Sequence, residues 1–145
     1  IGERELKRAE RFNENLALII LDFDHFKQIN DSYGHSIGDE VIQSVVERIC
    51  YVVRDIDTVA RYGGDEFVIL LAKADRSIAE QVAIRLDKEI NQKSLNTSQG
   101  KLKVTISMGA VELSPEHSTL ELMLKVADEA LYLAKRDGRS CFRIL

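Results

Sequence analysis

An α+β fold, with a central mainly antiparallel sheet and flanking helices, is predicted by three observations. Residues 16–21, LALIIL, form a continuous apolar run that is too short for a helix and suits a buried central strand. Residues 57–62 and 66–72 are strand-like arms on either side of a Gly-Gly pair, the signature of a hairpin. Residues 38–53 and 77–91 repeat their apolar positions at helical spacing.

The elements can be justified in order. Residues 3–12 are charged and helical in pattern. The apolar run ends abruptly at Asp22. Residues 38–53 place Val41/Ile42, Val45/Val46, Ile49 and Val52/Val53 on one face, and residues 77–91 place Ile78, Val82, Leu86 and Ile90 four apart. Residues 102–112, LKVTISMGAVE, begin in strict alternation and predict a strand. Ser118 with Glu121 fits a capping box opening a helix whose apolar face includes Leu120, Met123, Leu124, Ala127 and Leu131. Gly138 suits its end, and residues 140–144 predict a last short strand. The order is a helix, then β-α-β-β-α-β, then α-β, and the middle is a ferredoxin-like core. Its hairpin lies beside the first strand, which brings Asp22 near Asp65.

Composition narrows the function classes. A chain of 145 residues, 45% hydrophobic and 30% charged, is one domain with room for a real core. One proline and eight glycines speak against a long disordered linker. A net charge of −4 disfavours binding to nucleic acid by general backbone attraction, but leaves room for a small anion held by local cations. Cys50 and Cys141 lack metal-ligand spacing and are expected to be buried or inert thiols. No stretch reaches the ~18 apolar residues of a membrane span, and no signal peptide is visible. The chain begins at Ile1 and is expected to be a single domain, 1–145, of a longer protein.

Four constellations could carry chemistry. In DFDHFKQIND, residues 22–31, an acid at a strand end is either a helix cap or a ligand, and Asp24 could cap the next helix. Asp22 has a topological partner in Asp65, and two hard carboxylates meeting at one point suit Mg²⁺ or Mn²⁺. In RYGGDEF, residues 61–67, paired glycines allow a tight turn with positive φ, and the paired acids are costly together without a cation. The plainer alternative is a hairpin turn with surface charges. In ALYLAKRDGR, Lys135 and Arg139 lie four apart around a helix end, serving either the macrodipole or a phosphate clamp. In NDSYGHSIGDE, residues 30–40, Gly34 and Gly38 predict a loop. There Asn30 and Asp39 either cap helices or read a base edge. His25, His35 and His117 have no partners that would make them ligands.

The segments LALIILDFDHFKQINDSYGHSIGDE, RYGGDEFVILL, VTISMGA and ADEALYLAKRDGR occur in that order and spacing. Together they resemble the GGDEF domain, the bacterial diguanylate cyclase module, whose core is similar to polymerase palms and nucleotide cyclases. The resemblance implies condensation of two GTP into cyclic di-GMP with release of two pyrophosphates. It implies Mg²⁺ or Mn²⁺, two per active site, held by Asp22, the carbonyl of Phe23 and Asp65. Asp65 would also help deprotonate the ribose 3′-hydroxyl, Glu66 would line the metal site, and Lys27 would stabilise the transition state. Asn30 and Asp39, with Phe26 beside them, would hold guanine. Gly63 and Gly64 would admit the nucleotide closely, and Lys135 and Arg139 would clamp the terminal phosphates.

The resemblance extends to regulation. Arg54 and Asp57 match an inhibitory product-binding site, with Arg85 in support, and a solvated RDID turn is the plainer alternative. One domain holds one GTP, so a homodimer is implied, with an upstream sensor domain and a cytoplasmic place for this domain, whatever anchors the parent. Neither nucleic acid nor membrane contact is expected. The Asp-x-Leu-Thr-Gly-Leu-x-Asn-Arg stretch that usually precedes the first helix is not in this sequence. The competing function is a catalytically silent module that binds GTP or cyclic di-GMP. The intact Gly63, Gly64, Asp65 and Glu66 favour the enzyme.

Overall fold

The computed structural model describes residues 2–145. Its elements are α1 (Gly2–Phe12), β1 (Leu16–Phe23), α2 (Phe26–Tyr33), α3 (His35–Val52), β2 (Thr58–Arg61), β3 (Glu66–Ala72), α4 (Arg76–Leu86), β4 (Leu95–Thr97), β5 (Gly100–Leu102), β6 (Ile106–Glu112), α5 (Leu120–Arg136) and β7 (Phe142–Ile144). A π-helical turn, Asp87–Asn91, extends α4. The main sheet has the order β2-β3-β1-β6-β7. In it β1 runs antiparallel to both β3 and β6, and β7 runs parallel to β6. The α+β architecture expected from the sequence is therefore present.

The central place of β1 explains its unbroken apolar run. Ala17, Ile19, Leu21 and Phe23 enter one core with α3 and α4, while Leu16, Leu18 and Ile20 enter a second core with α1 and α5. A strand covered on both faces needs apolar side chains at every position. Each such Leu or Ile contributes roughly 1.5–3 kcal/mol when fully buried.

Several local expectations are corrected. The strand expected at 102–112 begins at Ile106, because residues 95–102 form a separate β4–β5 hairpin. Its start is set by Asn91, whose side chain accepts from Ile106 N at 2.6 Å and donates to Ile106 O at 3.0 Å. The loop expected around Gly34 and Gly38 breaks only at Gly34 (φ 87°), and Gly38 lies inside α3. A Cβ at Gly38 would stand 1.9 Å from Asn30 Oδ1, so the Asn30 side chain of α2 fills the space beside α3 that a larger residue would need. Asp24, Asn30 and Asp39 do not cap α2 or α3. The cap of α5 is Thr119, which accepts from Leu122 N at 3.1 Å, rather than Ser118. Gly138 (φ 113°) does follow the helix end as expected. Cys50 is exposed rather than buried, because it points away from the core stripe of α3. Cys141 is half-buried, donates to Ala134 O at 3.3 Å, and has its thiol pushed up by burial, consistent with an unreactive group. No helix among the described residues is long and apolar enough to cross a membrane.

The tightest layer contact lies between β6 and α5. A Cβ at Gly109 would stand 2.1 Å from Ala127 O and 2.3 Å from Leu131 N, both backbone atoms. Gly109→Ala is predicted to cost about 3 kcal/mol of unfolding free energy, read from urea titration. A loss under about 1 kcal/mol would contradict this packing.

Candidate active site at the end of the first strand

Chain register brings the acids together. β1 and β3 pair so that Asp22 stands opposite Glu66, and Phe23 N donates to Asp65 O at 3.1 Å. Asp22 continues the face of Leu18 and Ile20, so its carboxylate points toward α5. There it meets the ammonium of Lys135, the next-to-last helical residue of that element. Asp22 Oδ2 takes the lysine, and Oδ1 is buried with no hydrogen-bond partner.

The electrostatics follow from this crowding. Burial pushes the Asp22 carboxyl above its ordinary value. Lys135 opposes the shift, and Asp65 reinforces it by repulsion. Burial likewise raises Glu66, with Asp22, Asp128 and Asp65 adding repulsion against the pull of Lys135. A buried, unpartnered carboxylate oxygen among further acids is the environment that a hard cation satisfies. Among the described residues, no three His, Cys, Asp or Glu side chains could enclose an ion by themselves. A divalent ion here would complete its shell with backbone, water or phosphate oxygens, as Mg²⁺ usually does. The residues therefore fit such an ion, with the ligand as part of its shell.

The hairpin itself departs from expectation. Gly63 and Gly64 are not among the described residues with positive φ. The turn is held instead by Tyr62 N and Gly63 N donating to Glu66 O at 2.8 and 3.2 Å. Arg61 folds back over it, with Nε donating to Gly63 O at 3.2 Å and Nη2 to Gly64 O at 2.5 Å. A Cβ at Gly64 would meet nothing within 4 Å, and one at Gly63 would make only ordinary contact with Glu66. Neither backbone conformation nor internal packing demands glycine at these two positions.

The other expected site residues fall on two sides of this point. Phe26 opens α2 beside Phe23, with edge-to-face rings 5.3 Å apart. Lys27 is exposed in the first turn of α2. Asn30 abuts Gly38 through an Oδ1 that is buried without a partner, and Asp39 follows on the exposed side of α3. On the α5 side, Arg139 is exposed just past the helix, with φ 64°.

Arg54, Asp55 and Ile56 are exposed at a turn before β2, and the Asp57 side chain is turned inward. Arg54 grips Asp57 through Nε (3.1 Å), Nη2 (3.0 Å) and its backbone N (2.8 Å). Asp57 Oδ1 also accepts from Ala72 N at 3.2 Å, and its side chain is fully enclosed. Arg85 is exposed on α4, beside a cavity of about 210 Å³ lined also by Tyr51, Val52, Lys88 and Glu89.

Sequence reasoning missed three contributors. Asp128 on α5 presses its charge on Glu66, and its spacing of seven residues before Lys135 could have placed both on one helix face. Arg61 braces the hairpin, and nothing in a single sequence reveals that. Glu40 takes both Ser98 N (2.9 Å) and Ser98 Oγ (2.6 Å), tying the β4–β5 hairpin to α3 next to Asp39. The polar NTSQG run of residues 96–100 was a turn signal that could have marked that hairpin.

Known proteins share this arrangement along nearly the whole chain. Residues 2–141 match the family profile described as diguanylate cyclase, GGDEF domain. Diguanylate cyclase DosC of Escherichia coli (strain K12) is 38% identical over 141 residues, covering 97% of this chain and 30% of that protein. The chain thus spans about a third of the length of the curated relatives it matches. The GGDEF domain of YfiN (TpbB) from Pseudomonas aeruginosa superposes with a TM-score of 0.92 at 36% identity, covering 99% of this chain and 89% of that one. The GGDEF domain of DgcB from Caulobacter crescentus, solved in complex with c-di-GMP, superposes with a TM-score of 0.91 at 31% identity, covering 99% and 85%. With converging acids at the end of β1, a cation from α5 and this extent of similarity, the chain belongs to the GGDEF family.

Proposed function

We propose that this chain is the catalytic domain of a diguanylate cyclase, joining two GTP into cyclic di-GMP and releasing two pyrophosphates. The observation that carries the reading is the buried, unpartnered Oδ1 of Asp22, set among Asp65, Glu66 and Lys135. That oxygen and its acidic neighbours suit a divalent cation, with a phosphate end on one side and a base end on the other. Asp22, the Phe23 carbonyl and Asp65 would hold Mg²⁺ or Mn²⁺, two per site, with Glu66 lining it. When bound, the ions polarise the α-phosphate and favour ionisation of the ribose hydroxyl.

The chain's own residues do the rest. Asn30 and Asp39 hold the guanine edge, with Phe26 beside them. Lys135 and Arg139 take the terminal phosphates, so that pyrophosphate leaves as a bound anion. Asp65 helps remove the 3′-hydroxyl proton. The 3′-oxygen then bonds to the α-phosphorus as the α–β phosphoanhydride bond breaks, and Lys27 offsets the charge that develops. Gly63 and Gly64 have no internal reason to be glycine, which supports a nucleotide lying against their backbone. One domain holds one GTP, so two copies face each other as a homodimer, and positioning supplies much of the rate. The greater length of the relatives supports a sensor domain in the same protein. The DgcB complex supports cyclic di-GMP as a ligand of this fold. Arg54, Asp57 and Arg85 form its inhibitory site. There Arg54 must swing off Asp57 before that carboxylate can meet a guanine edge.

Incubation with GTP and Mg²⁺, followed by nucleotide analysis, tests the reading. Cyclic di-GMP is the expected product, and Asp65→Ala should lower turnover by about a thousandfold or more. Intact GTP beside measurable GTP binding would make this a silent binding module instead.

Metal binding should depend on pH. Asp22 and Glu66 titrate above their ordinary values, so in the metal-free fold their charged forms are a cost. That cost is absent below the ordinary carboxylate range and grows as pH rises through the raised values. Mg²⁺ must also displace the protons they retain. The rise in melting temperature given by Mg²⁺ should therefore be larger at about pH 8 than at about pH 5.5. An equal rise at both would remove these carboxyls from the metal site.

Arg85 offers the cleanest test of product inhibition, since it is exposed and its loss should leave stability within about 0.5 kcal/mol. Arg85→Ala should raise the cyclic di-GMP concentration for half-inhibition severalfold. An unchanged inhibition curve would exclude it from the inhibitory site.

A further inference from the structure

We infer that Asp24 is a positioning residue for the phosphate end of the site, holding the segment that presents Arg139. This rests on the proposed role of Arg139 as a phosphate contact.

Asp24 is 5% exposed, yet it neither caps a helix nor pairs with a cation. Its backbone N donates to Thr105 O at 2.9 Å, extending the β1–β6 ladder past the end of β1. Its carboxylate is fully engaged. Oδ1 accepts from Ser107 Oγ at 2.7 Å, while Oδ2 accepts from Thr105 Oγ1 at 2.7 Å and from Ser140 N at 3.0 Å. Two donors come from Thr105, just before β6, and Ser107 within it, and the third comes from the segment after α5. A buried carboxylate is a costly way to join these segments when only two hydroxyls and one backbone N–H answer it. The costly group therefore asks for a further reason.

The segment it grips supplies one. Gly138, Arg139 and Ser140 have φ of 113°, 64° and 51°, three successive residues in the left-handed region. Glycine takes this conformation freely, but Arg and Ser do so only against steric resistance. Such strain persists when surrounding contacts over-determine it, and it gathers at functional positions. Two bonds tie the turn to its own helix, Gly138 N to Lys135 O (3.3 Å) and Arg139 N to Ala134 O (3.1 Å). Asp24 adds a side-chain tie to the sheet at the residue next to Arg139, one position before the backbone bond from Met108 N to Cys141 O (3.0 Å). Asp22 and Asp24 thus hold the end of α5 at two points. Asp22 takes the Lys135 side chain, and Asp24 takes the backbone beside Arg139.

Asn can reproduce the Asp24 contacts. Its carbonyl would accept from Thr105 and Ser140, and its amide would donate to Ser107 Oγ. Ala cannot, and it would loosen the turn at Ser140.

The test compares the binding of two probes by calorimetry in the presence of Mg²⁺: inorganic pyrophosphate, which reports the phosphate end, and guanosine, which reports the base end. Asp24→Ala should weaken pyrophosphate binding by about tenfold or more and leave guanosine within about twofold. Asp24→Asn should stay within about threefold of the parent for both. Arg139→Ala should weaken pyrophosphate similarly, and adding it to Asp24→Ala should cost little more, because the two act through one contact. Unchanged pyrophosphate binding in Asp24→Ala, equal loss of both probes, or full additivity with Arg139→Ala would each overturn the inference. If Arg139→Ala alone leaves pyrophosphate binding unchanged, the phosphate role of Arg139 fails first, and this inference falls with it.

Discussion

The pairing of β1 with β3 is the constraint on which the site depends. It sets Asp22 opposite Glu66 and beside Asp65, at the point where the apolar run ends. The same pairing buries β1 between two cores, so its register is strongly held. A slip of one residue would turn Asp22 toward the α3 and α4 core and drive Leu21 to the other face. The hydrophobic layers therefore pay for an arrangement of acids that the acids alone would resist.

That arrangement is only partly neutralised by the protein's own cation. Lys135 offsets part of the repulsion at Asp22, and Asp128 adds to it at Glu66. Both come from α5, which packs onto the sheet closely because Gly109 has no side chain. The helix thus does more than cover a core. It delivers one cation and one anion to the same strand end, and its C-terminal turn leads to Arg139. The other face of the sheet is built differently. There α2 and α3 meet across Gly38, and a hairpin clasped by Glu40 lies alongside. α5 and the α2–α3 pair lie on opposite faces of one sheet, with the acids at the end of its central strand.

Much of this was legible in the chain and some was not, for physical reasons. β1 was readable because burial on both faces demands a continuous apolar run. α3, α4 and α5 were readable because one buried stripe demands helical spacing. Caps were read less well. Ser118 and Thr119 are chemically alike, and only the helix's docking angle selects Thr119. Asp24 looked like a cap or a ligand because a lone carboxylate after a strand commonly is one. Its actual partners, Thr105, Ser107 and Ser140, lie more than 80 residues away. The strand at 102–112 was drawn too long because alternation continues through a bend that Asn91 imposes from elsewhere. Gly63 and Gly64 were expected to serve the turn, yet the backbone there needs no positive φ.

By itself the sequence determined the element types, their order, the ferredoxin-like core and the acids, cations and glycines that mark the family. These are properties of local periodicity and of residue chemistry at short spacing, which a chain carries before it folds. Only the tertiary structure decided which groups answer one another. It set Lys135 against Asp22, closed Arg54 onto Asp57, brought Asp128 up to Glu66 and tied Asp24 to the strained turn beside Arg139. Most of those pairings join elements far apart in sequence. Strand register and helix packing create them, and a single sequence does not carry that information at any one position.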